Sequence, residues 1–218
     1  MTLKAGWKLL TIILLIYTVI AGFLFPIPEL PILYESIRNL YFHVTMWMAM
    51  MVMLITSFVA SVMYLWKPKQ GYDLVAVEST NSALVLGSLG IVTGMVWATY
   101  TWGEPWSGDP KQNGAAVGLL IYFAYIVLRG SFKDEQQRAR ISAVYNIFAF
   151  AVFIPLIYIL PKLQDSLHPG DGGNPAFSSY DLDSRMRAVF YPAVIAWSLL
   201  AWWIADLRIR TRKLAELL

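Results

Sequence analysis

Thr101-Trp-Gly-Glu-Pro-Trp-Ser-Gly-Asp-Pro-Lys111 interrupts a chain that is otherwise mostly apolar. Its prolines and glycines rule out a continuous helix through it. Apolar runs flank it on both sides, roughly residues 79–100 before it and 110–128 after it. Counted from Gly114, the later run has about 15 residues, or about 22 Å at the helical rise, short of the roughly 30 Å hydrocarbon core of a bilayer. Starting that helix at Pro110 restores the length. Asp109 then becomes the N-cap and Pro110 the first helical residue, the positions these side chains favour. The stretch is therefore predicted to be a connector at a membrane surface, ending where a spanning helix begins.

Working outward, six runs approach the roughly 20 apolar residues that a helical span needs: about 7–25, 40–66, 79–100, 110–128, 141–160 and 187–205. They use most of the 218 residues, so a single six-helix membrane domain over 1–218 is expected. Hydrophobic residues make up 58% of the chain and charged ones 14%, a balance that argues against a soluble domain. The runs are continuous rather than alternating, which argues against a β-barrel. Lys4 and Lys8 before the first run give it the outline of a signal peptide. Its apolar core is too long and lacks small-residue cleavage spacing, so a retained span is expected.

Charge orients the spans. Alternation from an inside N-terminus places Lys4, Lys8, Lys67, Lys69, Arg129, Lys133, Arg138, Arg140, Arg208, Arg210, Arg212 and Lys213 inside, twelve of the 17 basic residues. Arg38, Lys111, Lys162, Arg185 and Arg187 fall outside. The positive-inside rule then predicts an all-α integral membrane protein with six transmembrane helices and both termini cytoplasmic. The net charge of +3 is explained by these short loops and does not suggest nucleic acid. With no cysteine, the chain can form no disulfide, thiolate metal site or thioether haem link of its own.

Both histidines fall on the predicted outer face. His43 opens the second run in Leu40-Tyr-Phe-His-Val-Thr-Met-Trp47, and His168 sits in the last outer loop, in Leu167-His-Pro-Gly170. Neutral imidazole ligates haem iron, and two make a six-coordinate site. Single membrane histidines are more often packed or interfacial. Zinc is the other metal reading, although it wants three or four ligands, for which Asp165 and Asp171 are the nearest candidates. Trp97, Trp102 and Trp106 could be an ordinary interfacial belt. The turn-rich setting of Trp102 and Trp106 points instead to a built apolar platform for a flat ligand. Met50 lies two helical turns below His43, where a thioether could reach a metal, but flexible core packing is the expected use. Glu35, Glu78 and Asn81 read as caps or interfacial residues near helix ends.

The run Gly94-Met-Val-Trp-Ala-Thr-Tyr-Thr-Trp-Gly-Glu-Pro-Trp-Ser-Gly-Asp-Pro-Lys111 resembles the tryptophan-rich WWD signature of haem-handling proteins in cytochrome c maturation. The resemblance extends to Tyr41-Phe-His-Val-Thr-Met-Trp-Met48, to the apolar Leu119–Arg129 and to Leu167-His-Pro169. With six spans and this length, the chain is most similar to the CcmC family. CcmF and CcsA/ResC share the signature but are longer. The chain departs from the usual pattern at Gly108, where a tryptophan is common, and at Lys111, where an arginine is common; its Asp-Pro-Lys ending looks more like the CcsA branch.

This resemblance implies His43 and His168 as axial ligands of a non-covalent haem b on the periplasmic side of the bacterial inner membrane. It also implies Trp102, Trp106 and Asp109 as parts of the haem platform. Arg38 and Lys111 are the cations nearest in sequence for the haem propionates, with Arg185 and Arg187 as the other outer candidates. The family would present haem to the chaperone CcmE within an ABC-type complex with CcmA, CcmB and CcmD. No Walker A loop occurs here, so ATP hydrolysis is expected in a partner, and this subunit is expected to be a haem-delivery protein rather than an enzyme. The rival readings are a CcsA-like cytochrome c synthase subunit, a b-type electron-transfer cytochrome, and a channel or transporter with an incidental aromatic belt.

Overall fold

The polypeptide begins as an apolar helix and returns across the bundle five more times. A computed structural model of the chain describes residues 3–31, 33–170 and 182–215. Six α-helices follow in order: α1 (Leu3–Leu24), α2 (His43–Trp66), α3 (Gln70–Trp102), α4 (Pro110–Gly130), α5 (Glu135–Ile154) and α6 (Ser184–Ala215). All six lie in stretches long and apolar enough to cross a membrane. A 3-10 helix, Tyr34–Tyr41, leads into α2. Beyond α5 the chain continues through a π turn, Pro155–Ile159, and a 3-10 turn, Leu160–Leu163.

Four helices form the central square. α2 packs closely on α3, α3 meets α4, α4 meets α5, and α5 returns to α2. α6 lies along α2 and α3, while α1 leans on α6 and the 3-10 helix only. The core holds Met46, Met50, Met53, Leu54, Leu84, Leu119, Tyr122 and Phe153. Met50 is therefore a core residue, as its flexibility suited it to be. Glycines on α3 allow the close α2–α3 approach: a Cβ at Gly87 would meet Met50 and Leu119 at 2.6 Å. Small residues serve this purpose between membrane helices, where oil-like surroundings give no hydrophobic drive to pack. The aliphatic side chains of α1, among them Ile13, Ile16, Val19 and Ile20, point outward, as lipid contact requires.

Buried polar groups knit the square together. Asn146 Nδ2 on α5 donates to Ser57 and Ser61 on α2, both at 2.7 Å, and Ser57 meets Thr80 on α3 at 2.7 Å. Near the end away from the histidines, Arg129 on α4 grips Asp73 on α3 through two hydrogen bonds of 2.7 and 2.5 Å.

Helix ends moved most from the sequence expectation. α3 begins at Gln70 rather than near 79, and α6 runs on to Ala215 rather than ending near 205. The reading of Glu78 and Asn81 as caps or interfacial residues is corrected accordingly. Glu78 is fully buried inside α3, where Arg208 and Arg212 of α6 bind its carboxylate and Asn81 donates to it at 3.0 Å. These charges lowered the local hydropathy, yet in the fold they are neutralised by ion pairing rather than by water.

Candidate functional site

His43 is the first residue of α2 and projects toward α3. Its Nδ1 lies 2.9 Å from the Gly90 carbonyl and 3.2 Å from Thr93 Oγ1. A carbonyl oxygen only accepts, so Nδ1 carries the hydrogen and Nε2 keeps its lone pair. Gly94 makes room for the ring, since a Cβ there would sit 2.7 Å from His43 Cε1. Asn39 donates to the Thr93 carbonyl at 3.3 Å and ties the 3-10 helix to the same turn of α3.

His168 reaches the site from the loop after the 3-10 turn Leu160–Leu163. Its Nδ1 donates to Asp109 Oδ1 at 2.8 Å. Asp109 also accepts from Ser166 Oγ at 2.9 Å, from the Leu167 N–H at 2.7 Å and from the Lys111 N–H at 2.8 Å. The last bond is the predicted N-cap of α4, with Pro110 in the first turn. Burial by itself would raise the Asp109 carboxyl. The hydrogen bond from His168, with the two backbone donors, instead holds it well below the usual carboxylate range. The carboxylate is thus an ionised acceptor that fixes the imidazole and caps a helix at once.

The tryptophan segment folds back over α4. Gly103 closes α3 with φ 87°, and Gly108 turns the chain with φ 74°. A tryptophan in place of Gly108 would be strained in that left-handed backbone. Gln112, buried on α4, accepts from Ser107 N at 3.0 Å and donates to the Pro105 carbonyl at 3.2 Å. Trp106 Nε1 donates to Asn113 Oδ1 at 3.1 Å. Trp102 stacks edge-on against His168 at 4.8 Å between centroids, and Trp97 against Trp102 at 5.2 Å.

Between these groups lies a cavity of about 290 Å³, open on one side and lined by His43, His168, Trp97, Trp106 and Lys111 at its outer end. This is close to the lower bound of roughly 300 Å³ for small-molecule pockets. Trp47, Met48, Met51, Ile91, Met95, Phe153 and Ile157 continue its walls inward. The cavity therefore joins both histidines, three tryptophans and Lys111. Trp102 and Asp109 stand behind His168 and position it. Arg38 is placed elsewhere: its guanidinium caps the end of α1 through the Gly22 and Phe25 carbonyls at 2.9 and 2.8 Å, and pairs with Glu35 at 2.6 Å. Arg185 pairs with Asp183 at 2.6 Å, and Arg187 donates to the Leu182 carbonyl at 2.9 Å.

Among the described residues no group of three or more His, Cys, Asp or Glu side chains converges as a metal site, and Asp171 lies outside the described residues. Asp109 is already committed to three hydrogen bonds besides that of His168. The donor set, two imidazoles over an apolar cavity, fits a planar macrocycle with its own four equatorial ligands better than bare zinc. Sequence reasoning missed Gly90, Thr93, Gly94, Ser166 and Gln112. The first three lie on one turn of α3, and that helical spacing is the signal that could have found them.

Comparison with known proteins gives the family. Residues 2–216 match the family described as heme exporter protein C, CcmC. The cytochrome c biogenesis protein CcsA of Prochlorococcus marinus (strain MIT 9515) is 34% identical over 80 residues, covering 37% of this chain and 26% of that protein. CcsA of Synechococcus sp. (strain CC9605) is similar to the same extent. The match thus spans about a quarter of the length of these relatives. Because the family match runs over nearly the whole sequence, the chain belongs to the CcmC family, a haem-handling membrane family of cytochrome c biogenesis.

Proposed function

We propose that this protein holds non-covalent haem b at the periplasmic face of the bacterial inner membrane, with His43 and His168 as the axial ligands. It then presents the haem to the chaperone CcmE, within a complex that also contains CcmA, CcmB and CcmD. One observation carries this reading. Each histidine has its Nδ1 bound to a fixed acceptor, Gly90 O or Asp109 Oδ1, and both side chains line one cavity. Metal-ligating histidines are oriented in this way, through a carbonyl or carboxylate on the ring nitrogen that does not bind the metal.

The other residues have defined duties. Trp97 and Trp106 wall the cavity, Trp102 buttresses His168, and Lys111, which lines the cavity, is the cation we assign to a propionate. The position of Arg38 on the end of α1 makes it a support for the 3-10 helix beneath His43, with Lys111 the better propionate candidate. Haem is cargo in this scheme. ATP hydrolysis belongs to a partner, and the subunit binds and orients.

The test is spectroscopic. Purified protein in mild detergent, with and without added hemin, is compared with His43→Ala and His168→Ala. Sharp reduced α and β bands, weakened in both variants, are the expected result. A wild-type protein that takes up no hemin overturns the haem reading. The similarity to CcsA sustains one second reading, a synthase-type subunit that meets apocytochrome directly. Capture of an apocytochrome peptide rather than the CcmE chaperone would establish it.

A further inference from the structure

The cavity has a side as well as a mouth. α5 packs along α2 in its lower part, where Phe58 and Phe150 stack at 5.0 Å and Asn146 binds Ser57 and Ser61. Pro155 begins a π turn, and this segment leans on α4. It comes so near that a Cβ on Gly114 would lie 2.3 Å from the Leu156 carbonyl oxygen. Among the described residues the π turn makes no close backbone approach to α2. The backbones of α2 and α5 are therefore close below, and those of α2 and the π turn stand farther apart above, with the Phe153 and Ile157 side chains reaching into the shared core.

The parted section coincides with the cavity wall. Trp47, Met48 and Met51 line it from α2, and Phe153, Ile157 and Tyr158 from the other side. Met48 is 36% exposed and Tyr158 48% exposed, although both lie inside spans long and apolar enough to cross a bilayer. In a bilayer, exposed side chains in the apolar part of a spanning helix face acyl chains rather than water. From His43 to Met51 the wall descends about 12 Å at the helical rise. Its unbranched thioether side chains suit passage of a large, flat, apolar body, because they repack at little cost. π turns recur where a helix is locally reshaped for function.

We propose that this side slot, between α2 and the Pro155–Ile159 turn, is the passage by which haem moves between the acyl-chain region of the membrane and the histidine pair. The cavity is thereby loaded from within the bilayer. This inference rests on the haem reading above and adds the direction of loading.

The chain contains no cysteine, which allows a clean cross-linking test. A Met48→Cys/Tyr158→Cys double variant is reconstituted in phosphatidylcholine vesicles and linked with a flexible bismaleimide. The control is the same variant capped with a monomaleimide. Hemin is dissolved in the vesicle bilayer, and growth of the Soret band is followed by stopped flow. Loading slowed at least tenfold by the link, with an unchanged final Soret position, is the expected result. Loading at the control rate overturns the slot and leaves the haem site standing. Failure of the unlinked protein to develop a Soret band overturns both. Met48→Trp, which narrows the rim at one exposed position, provides a second route: it is expected to slow loading, and an unchanged rate counts against the slot.

Discussion

Asp109 and His168 are joined by a 2.8 Å hydrogen bond from imidazole Nδ1 to carboxylate, and the same carboxylate caps α4 through the Lys111 N–H. The tryptophan segment, the fourth helix and the last outer loop are thereby held at one point. A local helix signal and a long-range ligand signal share a single side chain.

Replacing Asp109 separates those duties. Asp109→Asn keeps an oxygen for the cap but removes the charge that fixes the imidazole. Loss of such a supporting group typically weakens metal-centre affinity about 10–100-fold. Hemin titration is expected to show a fall of that size, with a lower melting temperature as well, because the asparagine NH2 faces donors that the carboxylate accepted from. Asp109→Ala adds the loss of the cap, about 1 kcal/mol. Equal hemin affinity in Asp109→Asn and wild type would remove Asp109 from the site.

Gly94 is expected to be intolerant of even one carbon. The added methyl of Gly94→Ala meets His43 Cε1 at 2.7 Å, so the ring must rotate away or the helices must part. Overpacking of this kind costs about 1–3 kcal/mol. The reduced spectrum should lose its sharp α band while helical circular dichroism persists. Gly71→Ala, where nothing lies within 4 Å of the new carbon, is the matched control and should leave the spectrum unchanged.

The Asp73–Arg129 pair is a stability element remote from the histidines. Removing one partner of a buried ion pair costs about 3–5 kcal/mol, because the other charge is left alone in a low dielectric. Asp73→Asn should therefore melt well below wild type. Asp73→Leu combined with Arg129→Met should recover much of the loss. A double variant less stable than the single one would show that the pair contributes more than mutual neutralisation.

Asp183 provides the acid dependence of the α6 start. The Met186 N–H at 2.9 Å and the Arg185 guanidinium lower its carboxyl below the ordinary value. A carboxyl depressed in the folded state stabilises that state fully above its unfolded pKa, about 3.9. The contribution declines as pH falls from there through the lower folded value. Melting followed from pH 6 down to pH 3 should show a smaller acid-induced drop in Asp183→Asn than in wild type. Parallel curves would exclude this carboxylate.

Six spans were legible because continuous apolar runs leave few alternatives, and Asp109-Pro110 announced a helix start from local chemistry alone. The interior polar groups were not legible. Asp73 and Glu78 shorten the apparent third span because hydropathy counts their charge and cannot see Arg129, Arg208 and Arg212 waiting on other helices. Arg38 shows the same limit in reverse. Its nearness to His43 in sequence suggested a ligand contact, whereas its guanidinium is occupied by the end of α1. The histidines themselves stood out by rarity, but the groups that aim them are a glycine carbonyl, a threonine and a carboxylate whose proximity only the fold creates.

The two imidazoles are mounted on unlike supports. His43 grows from the first turn of a helix wedged into the central square, and Gly90, Thr93 and Gly94 leave its ring one seat. His168 stands on irregular chain, tethered through Asp109, Ser166 and the edge of Trp102. Such a clamp has one fixed jaw and one sprung jaw. On the haem reading proposed above, handing the haem on would then require displacing a loop and not prying apart a helix.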